Sequence, residues 1–271
     1  MREPLLFILV CLLLVSGFND ARAQDTHLLV DAREGELFGS YDGKKFAEAV
    51  EARPLLKEGE KFRLYTLTGP AGTGTVTARP EPEYPCEDVI PVTISPLPEG
   101  EGDLLGVNGS WDAQPRLPKV QGTNQPEYRN VVTSYLRGAG IARPKVTMLQ
   151  LLRVDLDGDG TQEVLISANS KDTPGMFMSR GDFSVVLLRK VVGGSAQTIP
   201  VASEVELKNH KDPRQTGQYH HKETVAALLD VDGDGVMEVI TTYRSTFDYG
   251  KAVYDVKGPK PKVVLSTGCG E

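Results

Sequence analysis

The strongest constraint on the fold of this chain is an internal repeat of an acidic, glycine-rich segment. DLDGDGTQEV begins at Asp155 and DVDGDGVMEV begins at Asp230, so seven of ten positions are identical at an offset of 75 residues. Aspartates that alternate so closely need compensation, because like charges a few ångströms apart repel by about 1 kcal/mol per pair even in water. The intervening glycines permit a sharp turn. Each segment therefore predicts a tight loop that binds a cation.

Ca²⁺ is the cation that fits such loops, because it takes about six to eight oxygen ligands in a flexible geometry. Side-chain ligands are expected at loop positions one, three, five and nine, with a backbone carbonyl at position seven. In the first loop these are Asp155, Asp157, Asp159, Glu163 and the carbonyl of Thr161. In the second loop they are Asp230, Asp232, Asp234, Glu238 and the carbonyl of Val236. We therefore expect two structural Ca²⁺ ions.

The residues after each loop exclude a helix-loop-helix calcium site. An EF-hand loop requires a glutamate at its twelfth position, and this position holds Ile166 in the first loop and Thr241 in the second. The loops are followed instead by EVLISA and EVITTY, which are apolar and β-branched in a way typical of strands buried on both faces. Both loops are therefore predicted to connect strands.

The two segments resemble the calcium loops of FG-GAP and VCBS repeats, in which D-x-D-G-D-G-x-x-E precedes a hydrophobic strand. The resemblance covers residues 147–168 and 222–243, and the Gly-Ala-Pro signature of the family is absent after both strands. It implies a β-propeller like that of integrin α subunits. A seven-bladed propeller at about 40 to 50 residues per blade would need more residues than the chain has. The expected fold is therefore all-β, a small β-propeller or propeller-like stack of blades, with a β-sandwich as the alternative.

Short runs of β-like residues separated by turn-forming residues support an all-β fold along most of the chain. They include HLLV, ELFGSY, KFRLYTLT and GTVTAR in the first part, and eight further runs from residue 146 onward. Residues 44–56 are expected to form a short helix or surface turn, and residues 80–118 long connections around one strand at 88–94. The offset of 75 residues between the two loops exceeds the length of one ordinary blade. Residues 169–181 and 208–219 are therefore candidate insertions.

One short amphipathic helix is predicted from about Gln125 to Arg137. Asn124 and Glu127 fit a capping box at its start. Its apolar face comprises Tyr128, Val131, Val132, Tyr135 and Leu136, which follow helical spacing.

An apolar run at residues 4–15, followed by Ala21-Arg22-Ala23, predicts a cleavable secretory signal over residues 1–23. The run is shorter than the roughly 20 apolar residues that a membrane helix needs, although an uncleaved anchor is the alternative. Residues 24–271 then form a single domain that is secreted or periplasmic. Cys86 and Cys269 are the cysteines left in that oxidising compartment, and we expect them to form a disulfide rather than two free thiols.

The charge and motif content narrow the possible functions. The formal net charge is -7, and no basic stripe stands out, so nucleic acid is not an expected partner. No nucleophile elbow, HExxH helix or CxxC pair occurs, and no catalytic residue is assigned. His220 and His221 are interpreted as a solvated loop pair.

The favoured function is a monomeric, non-catalytic binding module for a protein or glycan. The alternatives are a hydrolase acting on a polysaccharide or other envelope substrate, and an adhesion or envelope-structural protein.

Overall fold

The structure is a computed structural model that describes residues 26–172, 176–212, 214 and 219–270. The predicted secretory signal, residues 1–23, lies outside the described residues. The first part of the chain contains the strands β1 (His27–Asp31), β2 (Glu36–Tyr41), β3 (Phe46–Glu48), β4 (Lys61–Thr66), β5 (Gly69–Ala78), β6 (Ile90–Pro91), β7 (Thr93–Ser95), β8 (Leu105–Val107) and β9 (Lys119–Val120). The second part contains β10 (Thr147–Val154), β11 (Glu163–Asn169), β12 (Phe183–Val192), β13 (Ser195–Val205), β14 (Lys222–Leu229), β15 (Glu238–Arg244), β16 (Asp248–Asp255) and β17 (Lys262–Gly270). The helices are α1 (Ala49–Ala52), a 3₁₀ helix (Arg53–Leu55) and α2 (Pro126–Gly138).

These strands form three antiparallel sheets, which confirms the all-β prediction. The first sheet has the order β3-β2-β1-β8-β4-β5-β7, with β6 beside β2. The second has the order β13-β12-β11-β10-β9, and the third β14-β15-β16-β17. In the described part of the chain each sheet is an open run of strands.

Each copy of the internal repeat lies in its own four-stranded antiparallel meander. Strands β10 to β13 pair consecutively, as do β14 to β17, and the offset of 75 residues places β14 on β10 and β15 on β11. The extra length lies between β11 and β12 and between β13 and β14, which are the two predicted insertions. Their described residues contain no further strand beyond an isolated bridge between Phe177 and Tyr219. The two meanders are therefore adjacent in the chain.

The third sheet lies between the other two. On one face, Ala227, Ile240 and Leu265 belong to one core cluster with Leu29 and Phe38 of the first sheet. On the other face, further buried side chains of the third sheet join a cluster with the second sheet, which contains Leu152, Val154, Leu165, Leu188, Leu228 and Val239. The far face of the second sheet is covered by α2. This layering explains why the strands after the acidic loops are apolar on both faces.

Helix α2 confirms the predicted helix, but the predicted capping box is wrong. The N-cap is Gln125, which has an extended backbone (φ -119°, ψ 108°) and no side-chain cap hydrogen bond. Pro126 occupies the first helical position, where its fixed φ and missing N–H are tolerated. Asn124 therefore lies one residue too early to cap the helix.

The chain before α2 departs furthest from the predictions. Residues 80–118 contain β8, which pairs with both β1 and β4 in the middle of the first sheet. The strand predicted at 88–94 is divided into β6 and β7, which pair with β2 and β5. Residues 44–56 form β3, α1 and the 3₁₀ helix in succession. Strands of two or three residues are too short to produce a readable period-2 pattern.

The expected disulfide is present between Cys86 and Cys269, whose Cα atoms are 5.5 Å apart. It joins the connection before β6 to the last strand of the third sheet. Among the described residues, no helix has the length and apolar character to cross a bilayer.

Candidate metal centre

Both acidic loops form the first turn of a meander, at equivalent places in the fold. The first loop joins β10 to β11, whose last paired residues are Val154 and Glu163. The second joins β14 to β15, whose last paired residues are Leu229 and Glu238. In each loop the first aspartate therefore directly follows a strand and the glutamate begins the next strand, as the sequence predicts.

The first loop is shaped by hydrogen bonds from its own backbone to its carboxylates. The Asp155 carboxylate accepts the N–H groups of Gly158 at 2.7 Å and Gly160 at 3.0 Å. The Glu163 Oε2 atom accepts the N–H of Leu156 at 2.8 Å. Gly158 has φ of +77°, a conformation that favours glycine. These contacts hold the carboxylates of Asp155 and Glu163 against the backbone of the turn.

The second loop repeats this scaffold atom for atom. The Asp230 carboxylate accepts the N–H groups of Gly233 at 2.8 Å and Gly235 at 3.0 Å. The Glu238 Oε2 atom accepts the N–H of Val231 at 2.8 Å. Gly233 has φ of +76°, nearly the value of its counterpart in the first loop. The sequence repeat therefore produces the same local geometry twice.

Each loop brings three of its four predicted carboxylates together. The oxygens within 4.8 Å of one another belong to Asp155, Asp157 and Asp159 in the first loop, and to Asp230, Asp232 and Glu238 in the second. Glu163 and Asp234 lie outside these groups. The amide N–H groups of Thr161 and Val236 donate to Asp159 and Asp234, and the ligand role of their carbonyls stays a prediction.

The carboxylate cluster of the second loop is buried, whereas that of the first loop is largely exposed. Asp157 and Asp159 face solvent, but Asp230, Asp232 and Glu238 are buried. Burial, reinforced by the charge of Asp232, raises the pKa of Asp230 to about 6 and that of Glu238 to about 8. The charged form of the second cluster is thus unfavourable without a compensating cation.

One oxygen of the second cluster lacks a hydrogen-bond partner. The side chain of Glu238 is 1% exposed, and its Oε1 atom accepts no hydrogen bond. A buried carboxylate oxygen in this position is costly unless it meets a cation or donor. Hard oxygen ligands of this kind fit Ca²⁺, so the second loop suits the predicted ion.

The side chain of Lys257, which sequence reasoning missed, reaches the second loop from the turn between β16 and β17. Its Nζ atom donates to Asp232 Oδ2 at 2.8 Å and Asp234 Oδ2 at 2.7 Å, and lies 3.4 Å from Glu238 Oε1. The loop motif contains no signal for this residue, because the contact depends on how the third sheet folds back on itself.

Sequence reasoning also missed the segment before β9, which ties both loops to the first sheet. The indole N–H of Trp111 donates to the carbonyl of Asp230 at 2.8 Å. The Arg116 guanidinium donates to the carbonyls of Asp155 and Gly235, each at 2.6 Å. Trp111 is the chain's one tryptophan, and its position in a Pro- and Gly-rich connection is the signal that could have indicated a packing role.

The interpretation of the two histidines as a solvated pair is wrong. His220 is fully buried, with its Nε2 atom 2.9 Å from Asn169 Oδ1. The His221 ring lies between Glu204 and Asp248, with nitrogen to oxygen distances of 2.9 Å on both sides. Both rings are enclosed because the chain here passes between the second and third sheets.

Comparison with known proteins gives no match to this chain among family models, curated proteins or solved structures. The resemblance of the two loops to FG-GAP and VCBS repeats therefore stays a prediction from the sequence.

Proposed function

We propose that this chain is an exported, calcium-stabilised module that is built from propeller-like blades and binds a protein or glycan without catalysis. The observation that carries the calcium role is the buried Oε1 of Glu238, which accepts no hydrogen bond and lies 3.4 Å from the Lys257 ammonium group, within an acidic loop whose hydrogen-bond scaffold occurs twice. Bound Ca²⁺ would be coordinated by these carboxylate oxygens and would neutralise their charge. The disulfide supports export, because such bonds persist in oxidising compartments.

Each ion is assigned a structural role because the loops are internally hydrogen-bonded turns between core strands. In the first loop Asp155, Asp157 and Asp159 converge, and in the second loop Asp230, Asp232 and Glu238 converge. Closing these turns fixes the hairpins β10–β11 and β14–β15, which carry much of the core between the sheets.

The proposed blades are the two meanders β10–β13 and β14–β17. They pack face to face through the same core cluster, as neighbouring propeller blades would. The first sheet packs on the other face of the third sheet. A propeller-like stack of blades in a monomer fits this arrangement, and it leaves outer surfaces for a protein or glycan partner.

We expect calcium to raise the thermal stability of the chain. A ligand that binds only the folded state stabilises it by about 2.7 kcal/mol per site when present at about a hundredfold excess over Kd. For a domain of this size the melting temperature should then rise by about 5 to 10 °C per occupied site. Calorimetric melts with calcium and with excess chelator measure this shift, and superimposable melts would contradict a structural ion.

A calcium titration assigns the sites through one variant in each loop. Asp157→Ala should remove the first-loop equivalent in a calcium titration, and Asp232→Ala should remove the second-loop equivalent. Asp172→Ala is the matched control, because Asp172 is exposed and lies outside both loops. Unchanged stoichiometry in both loop variants would defeat the assignment.

A further inference from the structure

Lys257 makes the two acidic loops chemically different, although their backbones match. Its ammonium group contacts Asp232, Asp234 and Glu238 at 2.7 to 3.4 Å. Two of these residues, Asp232 and Glu238, belong to the group of oxygens that we assign to Ca²⁺. The second loop therefore already contains a cation supplied by the chain itself.

In the part of the chain that the structure describes, the first loop has no equivalent lysine. In the first meander the corresponding turn, between β12 and β13, consists of Gly193 and Gly194 alone, so it cannot supply a side chain. Among the described residues, no Lys, Arg or His lies within 4.0 Å of the first-loop carboxylates. In the second meander the turn between β16 and β17 spans residues 256–261 and carries Lys257 towards the acidic loop.

The first meander holds this turn in place. The Lys190 ammonium group, on β12, donates to the carbonyls of Val256 at 2.9 Å and Gly258 at 3.2 Å. These carbonyls flank Lys257 on both sides. The backbone on both sides of Lys257 is therefore anchored by a contact between the two meanders.

We propose that Lys257 is a tethered counter-cation that competes with Ca²⁺ for the second loop, so that the first loop fills before the second. This inference rests on the proposed calcium role of the loops. Calcium bound by Asp232 and Glu238 would lie within a few ångströms of the ammonium group, and like charges at that distance repel strongly in a buried site. The two cations therefore exclude one another, and calcium enters the second loop only when the lysine side chain leaves.

The structure offers space for the displaced side chain. A cavity of about 250 Å³ lies between the two loops, and it is lined by Lys257 together with Asp157 and Glu163 of the first loop. The Lys257 side chain is 29% exposed, so an ammonium group that leaves Asp232 and Asp234 can turn past this cavity to solvent. Displacement therefore does not require the turn at 256–261 to unfold.

The competition sets the expected size of the effect. The apparent Kd of a site rises in inverse proportion to the fraction of molecules in which the site is open. If Lys257 occupies the loop in about nine of ten molecules, its removal strengthens calcium binding there about tenfold. The first loop should keep its affinity, because Lys257 forms no ion pair with it.

The test is a calorimetric calcium titration of the full chain as wild type, Lys257→Met and Lys257→Arg. The wild type should show two equivalents of unequal affinity, and Lys257→Met should strengthen the weaker one by about tenfold or more. Lys257→Arg keeps the charge and should keep the weak site. Lys260→Met is the matched control, because Lys260 lies in the same turn and has no carboxylate within 4.0 Å among the described residues. The variant Asp157→Ala identifies which equivalent belongs to the first loop.

The outcomes separate this inference from the proposed function. Two equivalents whose affinities do not change in Lys257→Met would overturn the counter-cation role and leave the calcium role intact. The absence of calcium binding in both wild type and Lys257→Met would overturn both. A second measurement uses the unmodified chain: amine labelling of Lys257, followed by mass spectrometry, should rise several-fold when calcium saturates both loops. If the labelling of Lys257 stays constant as calcium is added, this would also contradict the displacement of its side chain.

Discussion

Removal of the disulfide is expected to lower the free energy of unfolding by about 5 kcal/mol. Cys86 and Cys269 are 183 residues apart in the sequence, and a crosslink over so long a loop strongly restricts the unfolded chain. Cys86 precedes β6 of the first sheet, and Cys269 lies in β17 of the third sheet. The double variant Cys86→Ser with Cys269→Ser tests this expectation, and the free energy is measured by urea denaturation.

Two comparisons make the disulfide experiment specific. Wild-type protein in reductant should unfold at the same urea concentration as the double variant, because both cysteines are partly exposed to the reagent. Each single variant should match the double variant, because either substitution removes the same bond. A double variant whose unfolding midpoint equals that of oxidised wild type would show that the crosslink contributes little to stability.

The second half of the fold could be predicted because its signals are local. The strands β10 to β17 are long enough for their apolar patterns to stand out, and their loops carry Asp and Gly at fixed spacing. Asp155 and Glu163 recur 75 positions later as Asp230 and Glu238. The equivalent residues accept equivalent hydrogen bonds. Local sequence therefore determined the loop geometry in both copies.

The rest could not be predicted because it depends on contacts between distant parts of the chain. Strand β8 has three residues and exists because β1 and β4 lie on either side of it. Lys257 reaches Asp232 only after β16 and β17 complete the third sheet. Arg116 contacts both loops across separations of 39 to 119 residues. No sequence motif indicates such contacts, so they cannot be predicted from a single sequence.

The layering of the sheets also explains why two copies of one motif have different electrostatics. The third sheet has a sheet on each face, so Asp232 is buried, whereas its counterpart Asp157 is exposed. Desolvation of a carboxylate cluster requires nearby positive charge, and Lys257 provides it in the second loop alone. The same residues in the same turn thus acquire a charge partner only where the fold removes water.

The second large effect is expected from pH, through the ion pairs of His221. Its Nδ1 atom lies 2.9 Å from Glu204 of β13, and its Nε2 atom lies 2.9 Å from Asp248 of β16. Burial by itself would lower the pKa of His221, but the hydrogen bonds and charges of Glu204 and then Asp248 outweigh it and raise the pKa to about 9. The charged imidazole thereby links the second sheet to the third.

The sign of the pH effect follows from proton linkage. The folded pKa of His221 lies above the unfolded value of about 6.5, so the stabilisation is fully present below that pH and is lost as the pH rises to about 9. The loss amounts to about 3 kcal/mol. Glu223 of β14 changes stability in the same direction at lower pH, because burial raises its pKa to about 7.

The variant His221→Gln isolates the histidine from these other groups. We expect wild type to exceed the variant by about 3 kcal/mol at pH 6 and by almost nothing at pH 10, where neither side chain is charged. Urea denaturation at a series of pH values, with excess chelator throughout, measures this difference without the calcium equilibrium. Asp248→Asn should retain part of the pH dependence, because Glu204 still pairs with the ring. A difference that stays constant across the whole pH range would mean that His221 stabilises the sheets through packing and not through its charge.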